Sequence, residues 1–468
     1  MRFFSRKRPA RDRSTPHVLI IVQNLSVPLD RRVWSECGEL AGAGYRVSVI
    51  CPKDEKDARY EELEGVRIHR YSPPRPATGL FTYAWEFAYC WMRTAAIAVR
   101  LFARERFDVI QACNPPDTYF ALARLFRPFG VRFVFDHHDL CPELFVSRDP
   151  SRPASRRVLA VLRWLERGTY RTADHVITTN ETYLERARER TGKPHDDFTI
   201  VRSSPDPARM RPGAPIPELR NGRPHLCCYL GIMGHQDGVE NVVRAAAIIK
   251  HELGRNDVQF ALMGFGDTLA RLRELTKTLD IEDVVTFTGR VDLPAISSYL
   301  STADVGLCPD PKTSFNDAST MNKVLEYMAH RIPVVSFDLN ETQKTAGSAG
   351  RYVAWKGDPA ADHRAYALAI VELLDDPERR IAMGRDGRAR IENGLGWPTQ
   401  AARYIEAYDR LLGREVQTPE PLTVDTVLVE SLLAEDPTPS VAHVRSRRFV
   451  RRDDEFAADA EPAEDFAS

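Results

Sequence analysis

The sequence predicts an α/β protein built from two doubly wound domains that face each other across a cleft, and three observations carry that prediction. Apolar runs of strand length alternate with helix-length stretches from His17 to about Ser204. The alternation stops at a Pro-rich break, Ser203-Ser-Pro-Asp-Pro followed by Arg211-Pro-Gly-Ala-Pro-Ile-Pro, which cannot enter a sheet interior. Beyond the break the alternation starts again, and strand, helix, strand repeated in both halves specifies parallel sheets covered by helices.

In the first half the strand-like runs lie at 17–24, 46–51, 107–112, 131–136 and 175–179; in the second they lie at 226–231, 258–264, 284–289, 305–309, 332–337 and 351–355. The boundaries expected are a basic flexible arm at 1–16, an N-terminal Rossmann-like domain at 17–205, a linker at 206–222 and a C-terminal Rossmann-like domain at 223–396. A closing helix follows at 397–413, with Ala401, Tyr404, Ile405, Tyr408, Leu411 and Leu412 on one face and Gly413 placed to end it. The segment 414–468, rich in Pro, Glu, Asp and Ala around the basic run Arg445 to Arg452, reads as a disordered tail. Ligands of such sheets sit beyond the carboxyl ends of the strands, so two facing domains put the site in the cleft.

At 468 residues the chain exceeds one ordinary core, and 43% apolar residues are enough to fill two. A formal net charge of -1 argues against nucleic acid as the principal partner, since phosphate-backbone binders are basic over a whole face. The eight cysteines include no Cys-x-x-Cys and mostly sit in apolar runs, which favours buried free thiols and a reducing, cytoplasmic setting. No apolar run approaches the roughly 20 residues of a spanning helix, and the basic start lacks the apolar core of a secretory signal. The chain is therefore expected to be neither secreted nor membrane-spanning.

Three clusters look chemical. The stretch from Ser319 to Asp338 fuses a helix bearing Asn322, Lys323 and Glu326 to a buried strand through Pro333. Lys323 and Glu326, three apart, share one helix face. A cation one turn from a carboxylate suits a phosphorylated sugar, whereas the bland alternative is a surface ion pair. After the first strand, Asp30 is a plausible helix N-cap, and Arg31 and Arg32 in the first turn oppose the helix dipole. An anionic partner explains them better than stability does, with solvated arginines as the alternative. The third cluster, Phe135-Asp-His-His-Asp-Leu-Cys-Pro-Glu143, follows a strand at its carboxyl end. Adjacent histidines on one loop seldom complete a metal site with Asp alone, so no metal is expected.

With these clusters in this order, from about His17 to Gly413, the chain resembles the family 4 retaining glycosyltransferases of the GT-B fold (glycosyl transferases group 1). The resemblance implies that His138-Asp139, with His137 as the alternative register, faces the reacting sugar. It implies that Glu326, in Glu-Tyr-Met-Ala-x-x-x-Pro-Val-Val, holds the ribose of a nucleotide, and it matches the turn Gly264-Phe-Gly266 and Thr288-Gly-Arg290. The chain departs from the pattern too. The first carboxylate of the family's Glu-x7-Glu pair falls on Ala318. In Gly231-Ile-Met-Gly-His-Gln-Asp-Gly238, around Gly231 and Gly234, Ile232 stands where Arg is common and Asp237 where Lys is common. The donor-phosphate charge is then expected from Lys323 and Arg290, with Asp30, Arg31, Arg32 and Glu143 as acceptor or phosphate candidates.

The function implied is transfer of a sugar from a nucleotide-sugar donor to the hydroxyl of a sugar or lipid-linked acceptor, with no metal or cofactor, in synthesis of cell-surface polysaccharide or glycolipid. The alternatives are a nucleotide-sugar epimerase of similar fold and a non-catalytic nucleotide-sugar-binding subunit. The segment Leu80 to Arg93 carries six aromatics and only Glu86 as a charge before Arg93. As an exposed helix it would suit a lipid-linked acceptor at the inner face of the plasma membrane, and burial against the sheet is the equal alternative. The basic residues of the start would add attraction to anionic lipid.

Overall fold

In the computed structural model, residues 15–54, 57–74, 80–147 and 155–415 are described, and they all belong to one compact unit. The basic start and the acidic tail beyond residue 415 lie outside the described residues.

The N-terminal sheet has eight strands in the order β3-β4-β2-β1-β5-β6-β7-β8. Its strands are β1 (His17–Ile21), β2 (Arg46–Pro52), β3 (Tyr60–Leu63), β4 (Val66–Tyr71), β5 (Val109–Cys113), β6 (Arg132–His137), β7 (His175–Thr178) and β8 (Phe198–Ile200). All neighbours are parallel except the β3–β4 hairpin. β1, β5 and β7 are buried throughout, as continuous Val/Ile-rich runs require when helices cover both faces. One face carries α2 (Leu80–Arg104), α3 (Phe120–Phe126) and α5 (Arg156–Thr172). The other carries α1 (Arg31–Gly42), and α4 (Cys141–Ser147) and α6 (Glu181–Thr191) complete the helices of this domain.

The second sheet is wholly parallel, in the order β11-β10-β9-β12-β13-β14. Its strands are β9 (His225–Leu230), β10 (Val258–Met263), β11 (Val285–Gly289), β12 (Val305–Cys308), β13 (Val334–Phe337) and β14 (Gly350–Val353). Its helices are α7 (Val239–Ala247), α8 (Leu269–Thr278), α9 (Leu293–Thr302), α10 (Asn322–Ala329), α11 (Asn340–Ala346), α12 (Pro359–Leu374) and α13 (Pro377–Arg390). Strand order reverses between β1 and β5 in one sheet and between β9 and β12 in the other, the two places where such sheets open to ligands.

The last helix of the described residues, α14 (Trp397–Leu412), returns to the first domain. Its predicted apolar face, Ala401, Tyr404, Ile405 and Tyr408, packs with Val33, Cys37 and Leu40 of α1 against β1 and β2. Gly413 ends it in the left-handed region at φ 64°. The linker lies along the second domain, where Gly213 N donates to Ser301 and Ile216 N to Thr302.

All eleven predicted strands are present. Three others escaped notice: β8 has three residues, and the β3–β4 hairpin is short, charged and at an edge. Its turn is Glu64-Gly65, with φ of 50° and 79°, the two-residue geometry that suits a hairpin. The aromatic helix α2 is part buried and part exposed: Cys90, Thr94, Ala98 and Leu101 are buried, while Trp85, Phe87 and Met92 face solvent. All eight cysteines are free and buried. No helix of the described residues is long and apolar enough to cross a membrane.

Candidate functional site

The second domain contributes the loops after β9 and β10 and the first turns of α10. Gly264 and Gly266 have φ of 148° and 153°, and a Cβ there would lie 1.8 Å from the Gly231 carbonyl and 2.6 Å from that of Met233. Only glycine lets the two strand-end loops meet, as Gly231 N donating to Met263 O at 3.0 Å and Met233 N to Phe265 O at 2.8 Å require. Gly234 N caps this platform by donating to Asp237 at 2.9 Å. Exposed Arg290, at the end of β11, sits over the Phe265 ring at 5.5 Å.

Lys323 and Glu326 do not pair with each other. Lys323 Nζ reaches both carboxylate oxygens of Asp310, at 3.0 and 2.9 Å, and lies 4.9 Å from the centre of the Tyr229 ring. Burial opposes its charge, but Asp310 outweighs burial and holds its pKa well above the ordinary lysine value. Asp237 belongs to the same cluster; burial lifts its pKa to about 6 against the pull of Lys323. The expected phosphate cation is therefore already met by protein carboxylate. Asp310 was not anticipated, although its place just past the end of β12 marks it as a ligand-side residue.

Glu326 is buried, and its Oε2 has no partner among the described residues. Its Oε1 accepts from Arg31 Nη2 of the other domain at 3.2 Å. Burial raises its pKa and Arg31 restrains the rise. Asn322, one turn earlier, is exposed, and no side chain caps the start of α10.

In the first domain Asp30 caps α1 as predicted, accepting from Val33 N at 3.1 Å. The anionic partners of the two arginines after it are carboxylates of this chain. Arg31 is half-exposed and spans the cleft to Glu326, while Arg32 is buried. Arg32 donates to Asp136 at 2.9 Å and to the Val201 carbonyl at 2.8 Å, with Glu36 Oε1 at 3.0 Å. Burial lifts the Glu36 pKa to about 8, helped by the charge of Asp136; Asp136, despite burial, is held low by Arg32 and His138. Such a network consumes Arg32 internally and leaves it no hand for a substrate phosphate.

His138 Nε2 lies 2.6 Å from Asp136 and 3.0 Å from Arg32 Nε. Burial lowers its pKa and Asp136 more than reverses this, so the value is raised. Cys113, Asp136 and His138 lie close enough to share an ion, but the Arg32 guanidinium already occupies that neighbourhood. The next carboxyl, Asp139, has its pKa raised by burial and is steadied through its backbone N by Asn114. His137 is boxed by Phe135, Tyr170 and Tyr183, and burial brings its pKa down to about 3, so it is neutral. Glu143 is bonded to Arg190 of α6, a structural pairing on the side of α4.

Ala318 explains one departure. It packs with Phe315 of its own domain against Leu140 and Tyr183 of the other, forming a small apolar seam. Polar contacts flank the seam: Asn180 donates to the Ala318 carbonyl at 2.9 Å, and Tyr183 Oη lies 2.8 Å from Ser319 Oγ. A carboxylate at this position would be buried among apolar side chains.

Two parallel-sheet domains with glycine loops and a carboxylate-bearing helix turned toward the opposite domain define the GT-B class of glycosyltransferase. Residues 29–202 match the glycosyl transferase 4-like domain and residues 224–376 the glycosyl transferases group 1 domain, and the chain belongs to that family, family 4 of the glycosyltransferases. It is 28% identical over 190 residues to D-inositol 3-phosphate glycosyltransferase of Pseudarthrobacter chlorophenolicus, covering 40% of this chain and 43% of that one. It is 24% identical over 389 residues to 2-deoxystreptamine glucosyltransferase of Streptomyces kanamyceticus, covering 80% and 97%. The matched stretch thus spans less than half of the first relative. Among solved structures, sucrose-phosphate synthase of Thermosynechococcus elongatus has a TM-score of 0.66 at 21% identity, covering 85% of this chain and 99% of that one. HepE of Anabaena in complex with UDP-glucose has 0.64 at 14%, covering 84% and 99%.

Proposed function

We propose that this chain is a retaining glycosyltransferase that moves a sugar from a nucleotide-sugar donor to the hydroxyl of a sugar or lipid-linked acceptor. Its place would be the cytoplasmic face of the plasma membrane, in synthesis of cell-surface polysaccharide or glycolipid. The observation that carries the reading is Glu326, a buried carboxylate with one oxygen unpartnered, in the position the family gives to the ribose contact. Charge-assisted hydrogen bonds to two ribose hydroxyls would satisfy it.

On this reading the donor ionises toward an oxocarbenium-like state as the bond from anomeric carbon to phosphate oxygen breaks. Charge gathers on the leaving diphosphate, where Arg31, released from Glu326 by the ribose, and exposed Arg290 supply the cations that positions 232 and 237 lack. The acceptor oxygen attacks from the face that the diphosphate leaves, and its proton passes to the departing phosphate oxygen, so configuration is retained without a metal or cofactor. His138 and Asp139, whose pKa values are both raised, line the first-domain side.

Incubation with UDP-, GDP- and ADP-sugars, with and without membrane extract, tests the proposal. Nucleotide release that depends on acceptor supports transfer. A free epimerised sugar without acceptor would make the chain an epimerase, and tight binding with no turnover would make it a binding subunit.

A further inference from the structure

The outer face of the first domain carries a charge imbalance that the chain as a whole, at -1, does not. Helices α2, α3 and α5 share one core over the sheet, with Ala98, Leu101, Phe126 and Tyr170 meeting Ile110 and Phe133. Ring contacts tie them edge to edge: Phe102 to Phe129 at 5.4 Å, Phe120 to Trp164 at 6.2 Å. Outward, these helices and the short turn Arg127–Phe129 present ten arginines, three on α2, two on α3 and its turn, and five on α5, every one exposed. The same elements hold two acidic residues, Glu86 and Glu166, and Glu166 is buried against Arg190 of α6. Among the described residues, Arg127 with Asp174 is the ion pair these arginines make.

Large apolar side chains stand between the cations. Trp85 is 60% and Trp164 66% exposed, and Met92, Val99, Leu125 and Phe129 are also exposed. Trp85, Met92 and Val99 recur every seven residues, a line along α2, so that helix would lie lengthwise on whatever it meets. The adjoining helix α6 shows the ordinary alternative: Glu185 and Glu189 alternate with Arg186 and Arg188, and its apolar residues Tyr183, Leu184 and Ala187 face inward.

We propose that the outer face of α2, α3 and α5 docks on a bilayer rich in anionic lipid, with Trp85, Phe129 and Trp164 entering the headgroup layer and the arginines meeting lipid phosphates. Unpaired cations complement an anionic surface, and exposed aliphatic groups such as Met92, Val99 and Leu125 suit lipid where a nucleic acid would leave them in water. This inference deepens the membrane-side reading above by naming the surface, and it does not depend on the Glu326 site.

The test is co-sedimentation of the full chain with vesicles of phosphatidylcholine alone, or with one part in about three of phosphatidylglycerol, at about 0.1 M salt. Two variants, Arg157→Glu/Arg163→Glu/Arg167→Glu and Trp85→Ser/Trp164→Ser, change only exposed side chains. The expected result is binding to the anionic vesicles alone, weakened roughly ten-fold or more by charge reversal and several-fold by loss of the tryptophans. Melting temperature and nucleotide affinity should stay unchanged. Absence of binding to anionic vesicles would overturn the proposal, and so would binding that both variants retain, which would assign it to the basic start. Capture of single-stranded RNA that both variants lose, with no vesicle binding, would reassign the face to nucleic acid. Vesicle binding is read without donor, so failure of the transfer assay leaves this result standing.

Discussion

Arg31 Nη2 and Glu326 Oε1 meet at 3.2 Å although 295 residues separate them in sequence, and this contact joins the first turn of α1 to the middle of α10 across the cleft. The carboxylate that would take the ribose is thus occupied by a cation from the opposite domain. Donor entry would exchange one partner for another, with Arg31 freed beside the diphosphate.

Arg31→Ala is expected to change stability by less than about 1 kcal/mol, since Arg31 is half-exposed and water screens its charge. It should lower kcat/KM by roughly ten-fold or more if the guanidinium serves the diphosphate. Unchanged kcat/KM would leave Arg31 as a mere bridge.

Glu326→Ala should weaken nucleotide binding by roughly 1.5–3 kcal/mol per hydrogen bond lost while the protein still folds. Calorimetry checks it, and an unaltered affinity would move the donor site elsewhere.

The adjacent histidines should separate cleanly. His137 fills an aromatic box in its neutral form, so His137→Ala leaves a cavity and should cost about 2–4 kcal/mol of stability. His138→Gln, at the edge of the Arg32–Asp136 network, should reduce transfer while nucleotide affinity is kept. Thermal melts and activity on both variants decide, and a fully active His138→Gln enzyme would remove this side chain from the reaction.

Asp237 predicts a pH dependence. Burial raises its folded pKa to about 6, so it favours the fold while protonated and that contribution is lost as pH climbs from the ordinary carboxyl range through about 6. Ionisation also adds negative charge beside Lys323, so donor affinity should fall over the same window. Asp237→Asn should flatten both profiles over the same window, from the ordinary carboxyl range to about 6. A wild-type slope that persists in the variant would assign the titration to another group.

Ala318→Glu, which restores the family's carboxylate, should not raise activity. It would put a charge among Leu140, Tyr183 and Phe315, and is expected to cost several kcal/mol, about 3 or more, by weakening the seam between the domains. A stable and more active variant would show that the position still belongs to the site.

The fold was largely legible in the residues because its strands are buried on both faces and read as unbroken apolar runs; β3 and β8 are short edge strands that leave no such trace. Asp30 was legible as a helix cap, and Arg31 and Glu326 stood out as candidates from their places near helix starts. What could not be read was pairing. Nothing local distinguishes Arg31, which crosses the cleft, from its neighbour Arg32, which turns inward to Asp136, because the difference lies in which way adjacent side chains leave one helical turn. Lys323 likewise finds Asp310 through the packing of α10 on β12, thirteen residues upstream.

The return of α14 has a consequence for how the chain is made. Tyr404 and Tyr408 both donate to Gln111 of β5, Tyr404 at 2.6 Å, and Trp397 Nε1 donates to Glu39 of α1 at 2.8 Å. The first domain to leave the ribosome therefore stays incomplete until α14 emerges, after the whole second domain has been synthesised. A chain cut at residue 396 would keep every glycine and carboxylate of the candidate site and yet expose one side of β1 and β2. The two domains are separate in space but not separable as genetic modules.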